Sequence, residues 1–64
     1  MYSRLIIEMK KRGVTQEQVA KALNVNPATV NRKLKGESEF TSSEMYAICE
    51  LIPVPMNELF VREA

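Results

Sequence analysis

Apolar side chains recur at helical spacing along nearly all of this chain, and no run alternates with period two for long enough to make a strand. Leu5, Ile6 and Met9 share one face of a first segment, Ser3 to Arg12. The basic last turn of this segment suits the helix dipole, and Gly13 can close it in the left-handed conformation. Val19, Ala20 and Leu23 form the stripe of a second, shorter helix. Thr15 stands at its N-cap with Gln18 three residues on, which makes a capping box. Asn24 follows at the position where asparagine is the usual substitute for glycine.

A third helix begins at Asn26, an N-cap, with Pro27 in the first helical position, where its missing N–H costs nothing. Val30 and Leu34 point inward, and Gly36 ends the helix. The strongest local signal comes next. Thr41 and Glu44 form a second capping box, and Phe40 with Met45 occupies the two positions of a hydrophobic staple. Met45, Ile48, Cys49 and Ile52 then mark a buried face, which Pro53 and Pro55 terminate. A last turn or two spans Met56 to Val61, with Leu59 and Phe60 available to plug the core. The expected fold class is all-α, five short helices in one domain over residues 1–64.

Composition narrows the function. The chain of 64 residues is 45% apolar and 27% charged, as in an ordinary soluble domain, and has no run near the ~20 residues that span a membrane. It has no histidine and one cysteine. That excludes imidazole acid–base chemistry, Ser-His and Cys-His nucleophiles, an internal disulfide and a thiolate zinc site. There is no glycine-rich phosphate loop, so an enzyme is not expected and no cofactor or small-molecule ligand is called for. Cys49 reads as a small core residue, and the single cysteine fits a reducing cytoplasm.

The net charge of +1 hides an asymmetry. Residues 1–36 hold eight basic side chains against two acidic ones, and residues 37–64 hold six acidic ones with Arg62 as the sole base. A basic half of this kind suits a polyanion. Within it, Lys10, Lys11 and Arg12 read as a solvated helix end. The turn Asn24-Val25-Asn26 is too short for antiparallel packing, so the second and third helices must cross steeply, as in a helix-turn-helix over about residues 15–36. Winding the third helix at about 100° per residue puts Ala28, Thr29, Arg32 and Lys35 opposite Val30 and Leu34, with Asn31 and Lys33 on the flanks. That face has no acidic residue. Arg can pair with guanine, Asn with adenine, and the Thr and Ala methyls can touch thymine. Gln16, in the first turn of the second helix, is placed to grip a phosphate.

The stretch from Val14 to Gly36 resembles the helix-turn-helix of the Cro/CI family, also called the XRE family. The resemblance rests on Thr15-Gln16, Val19-Ala20, Thr29-Val30, the closing Gly36 and Glu58-Leu-Phe60, and it extends from Leu5 to Phe60. The segment Arg32 to Thr41 further resembles a subgroup common in phages and mobile elements of Gram-positive bacteria. The resemblance implies a compact, lambda-repressor-like five-helix domain that represses transcription from operator DNA in the bacterial cytoplasm. In that role it would act as a homodimer, formed in solution or only on the DNA. By the same resemblance Gln16 and Asn26 contact phosphates, Pro27, Ala28, Thr29 and Arg32 face bases, and Lys35 lies near the backbone again. The short side chains of Pro27 and Ala28 shift direct readout to Thr29, Asn31, Arg32 and Lys33. The segment from Pro53 to Val61 is the expected subunit contact, with Met56 exposed there. Two other readings stand beside this one: a protein-interaction module that modulates another repressor, and the N-terminal piece of a longer regulator.

Overall fold

Residues 1–61 are described by the computed structural model. Arg62 and Glu63, which entered the charge count, lie outside them. Among the described residues the helices are α1 (Ser3–Arg12), α2 (Gln16–Leu23), α3 (Pro27–Lys35), α4 (Ser42–Leu51) and α5 (Met56–Leu59). The chain is all-α, as its periodicity predicts.

The starts of α2 and α4 and the ends of the first four helices have local causes. Thr15 Oγ1 accepts from the Gln18 amide at 3.1 Å, and the Gln18 side chain accepts from the Thr15 amide at 2.9 Å. Thr41 and Glu44 repeat this reciprocal pair at the start of α4, with bonds of 3.2 and 2.8 Å. The first three helices end in one way. Gly13, Asn24 and Gly36 take φ of 68°, 59° and 87°. The following residue returns its amide to a carbonyl five positions back: Val14 to Met9, Val25 to Ala20, and Glu37 to Arg32. Helix α4 instead stops before Pro53, with Ile52 already extended.

The core gathers one or two residues from every helix. Leu5, Val19, Val30, Ile48, Ile52 and Leu59 are fully buried, and Cys49 and Met45 pack partly against them. One edge is closed by three aromatic rings, Tyr2, Phe40 and Phe60, in edge-to-face contact with centroids 5.3 to 6.1 Å apart. Phe40 is therefore more than a staple, and Tyr2, which carries no periodic signal, is a core residue. The Tyr2 amide also donates to the Leu34 carbonyl at 3.1 Å, tying the start of the chain to the end of α3. Met56 is half-buried, contrary to the expectation that it stands exposed. No helix among the described residues is long and apolar enough to cross a membrane.

Candidate nucleic-acid interface

The exposed face of α3 follows from how the helix is anchored. Asn26 Oδ1 accepts from the Ala28 amide at 2.8 Å, and the Asn26 carbonyl receives the amides of Thr29 and Val30. With Pro27 lacking an N–H, the start of α3 is satisfied internally. Val30 and Leu34 are buried in the body, and the opposite side carries Ala28, Arg32 and Lys35, all exposed. Thr29 and Asn31 are half-buried on the two shoulders. Among the described residues Arg32 meets no carboxylate, so its guanidinium is available to an outside acceptor.

Asn31 and Lys35 are not isolated from α2. With Gln16 they line one groove of about 350 Å³, whose apolar lining includes Ile6, Met9 and Leu34 and which contains no acidic side chain. The capping box uses the Gln18 amide, and the amides of Gln16 and Glu17 in the turn before it find no acceptor among the described residues. Three of the sequence-predicted residues, Gln16, Asn31 and Lys35, thus share one groove, and Arg32 is exposed on the outer side of α3. Asn26, Pro27 and Ala28 lie at the start of α3, where the oxygen of Asn26 is committed to the cap and its amide nitrogen is left to donate.

Lys33 departs from expectation. Its ammonium donates to Glu44 Oε1 at 3.0 Å and to the Glu39 carbonyl at 2.9 Å, and its side chain is only 12% exposed. A lysine held by two acceptors across the loop between α3 and α4 does not face outward with Arg32. The helical wheel put Lys33 on the flank correctly, but it could not see the acceptors that draw the side chain inward.

The basic half is also less free than its composition suggests. Glu8 is buried on α1, where Arg12 Nε approaches it at 3.1 Å, Arg4 Nε at 3.3 Å and Lys11 Nζ at 3.6 Å. Arg4 reaches on to Glu58 at 3.9 Å and so links α1 to α5. Lys11 and Arg12 are exposed, as a solvated helix end should be, and both also pair with this buried carboxylate. The hydrogen bond from Arg12 holds the Glu8 carboxyl below the usual carboxylate range, against the opposing pull of burial, with Arg4 and Lys11 adding to it. Burial would raise the Glu44 carboxyl, but the Thr41 amide and the Lys33 ammonium outweigh it and hold the group low. Burial pushes the Cys49 thiol up, as expected for a packed cysteine. With Lys33 and the Glu8 partners set aside, Lys10, Lys21, Arg32 and Lys35 are the cations of the basic half that meet no carboxylate among the described residues. Two of them lie on α3.

Among the described residues no three carboxylate or thiol side chains come together to hold a metal. A family model described as helix-turn-helix matches residues 5–59, from the first core leucine to the last. No curated protein and no solved structure matches the chain.

Proposed function

The chain belongs to the helix-turn-helix family of Cro/CI (XRE) regulators, whose members bind DNA, and we propose that it is a Cro-like repressor that reads a two-fold operator with α3 in the major groove. One observation carries the reading: the acid-free face of α3, where Arg32 at the centre meets no carboxylate among the described residues and Asn31 and Lys35 share one groove with Gln16. A face of this kind supplies both components of specific recognition. Arg32 and Asn31 have the donors to pair with base edges, and Thr29 and Ala28 offer methyl contact with thymine. Gln16, the Asn26 amide and Lys35 supply contacts to phosphates, which fix register without reading sequence.

Repression is the mode that asks least of the protein. Occupying a promoter excludes polymerase, so the domain needs only to bind the right site tightly. Two copies on related half-sites bring the needed affinity, because one short helix buries little surface on its own. The protein then acts where the DNA is, in the bacterial cytoplasm.

The test is selection of bound duplexes from a random pool. The expected product is a two-fold sequence with half-sites about one helical turn, roughly 34 Å, apart. A pool that emerges unenriched would contradict the reading and favour a protein partner instead.

A further inference from the structure

Lys33 stands next to Arg32 in the chain, yet its ammonium serves the protein's own interior. It meets three groups, one on the backbone and two on side chains. The Glu39 carbonyl belongs to the loop after α3, Glu44 belongs to the first turn of α4, and the Phe40 ring lies beneath the ammonium, 5.8 Å from centroid to nitrogen. The same Glu44 Oε1 that receives Lys33 also receives the Thr41 amide at 2.8 Å. One carboxylate oxygen therefore closes the capping box of α4 and holds the ammonium from α3. The Lys33 and Glu44 side chains are 12% and 17% exposed, so the pair is poorly screened by salt.

Resting on the DNA-reading role of α3, we infer that Lys33 is a positioning residue that clamps the end of α3 to the capping box of α4 through Glu44. The clamp sets the tilt at which Arg32 and Asn31 meet the bases, and Lys33 itself does not touch DNA. The start of α3 is fixed by its cap and by Val30. Its far end is held by Leu34, by the Tyr2 amide on the Leu34 carbonyl and by this clamp. A helix of nine residues is about 13 Å long, so rocking it by about 5° at one end moves the other by about 1 Å. Recognition geometry tolerates only about half that displacement. Specificity is thus sensitive to a bond made away from the groove. A lysine that contacted phosphate would instead have to leave Glu44 half-buried without its counter-ion.

The experiment compares wild type, Lys33→Met, Lys33→Arg and Glu44→Gln on the selected operator, on a single-base variant of it and on an unrelated duplex, across a salt series. Methionine keeps the apolar stem over Phe40 and removes the charge. Glutamine keeps an oxygen for the Thr41 amide, so it carries the test should the lysine variant fail to fold. Lys33→Met and Glu44→Gln are each expected to weaken operator binding roughly 3- to 30-fold, with unrelated DNA and the salt slope unchanged. Combining them should add little to the worse single change, and Lys33→Arg should recover most of the discrimination. Equal losses on all duplexes, with a salt slope flatter by about one, would make Lys33 a phosphate contact and overturn the inference while leaving the reading by α3 intact. Unchanged discrimination in both charge-removing variants would overturn it too. A wild type that fails to discriminate among duplexes would instead refute the DNA-reading role on which the inference rests.

Discussion

Val25 returns its amide to the Ala20 carbonyl at 2.9 Å, and the bond depends on Asn24 between them holding φ at 59°. This is the turn of the helix-turn-helix, built with the one non-glycine residue at positive φ among the described residues. Asn24→Gly should leave stability unchanged or raise it slightly, since glycine adopts this conformation without strain. Asn24→Val should cost about 1–2 kcal/mol, because a β-branched side chain resists the left-handed region. Chemical denaturation of the two variants checks this, and an equally stable valine variant would contradict the role given to the turn.

Acid should loosen the fold through Glu8 and Glu44. Both carboxyls ionise more readily in the folded chain than the ordinary value of 4.5. The unfolded chain therefore takes up protons first as the pH falls. Stability from these groups is present in full above about pH 5 and is lost as the pH drops through their folded-state values. Melting temperature should be flat near neutrality and decline below about pH 5. Glu8→Gln should melt lower than wild type at pH 7, and the gap should narrow in acid. A gap that stayed constant with pH would show that the Glu8 pairs contribute nothing through charge.

Assembly is the next expectation. Two chains should occupy one operator, with the segment from Pro53 to Val61 at the subunit contact. Leu51 and Val61 are exposed at or beside that segment, and its apolar surface is uncharged apart from Glu58. Ile7 and Tyr46 are also exposed, so charge alone does not single out the C-terminal end as the contact. Sedimentation with and without operator DNA decides the stoichiometry. A complex of one chain that bound a single half-site as tightly as the whole operator would refute the dimer.

What could be read in the sequence was whatever the chain settles within a few residues. The capping boxes at Thr15 and Thr41, Pro27 at the first position of α3 and the closing residues Gly13, Asn24 and Gly36 are local devices, and the helix boundaries follow from them. The outward face of α3 follows from the period of Val30 and Leu34. What escaped depends on partners that arrive from elsewhere. Lys33 meets Glu44 eleven positions away, across the loop, and Tyr2 is buried with Phe40 and Phe60 packed against its ring. Glu8 left a trace, since Arg4, Glu8 and Arg12 are spaced four apart on one helix. Its burial did not, because a charged residue at that spacing is ordinarily a solvated one.

The most direct measurement is operator binding by Arg32→Ala, compared with Gln16→Ala and Lys35→Ala. Arg32 lies at the centre of the acid-free face, opposite the buried Val30 and Leu34. Its removal should weaken operator binding by about 1–3 kcal/mol and relax preference at one base pair per half-site. Stability should change by no more than about 0.5 kcal/mol, since the side chain is exposed. Gln16→Ala and Lys35→Ala should weaken binding almost equally on every duplex, and the lysine change should flatten the salt slope by about one per bound subunit. An Arg32→Ala protein that still distinguished its operator from single-base variants as well as wild type would contradict sequence reading by α3.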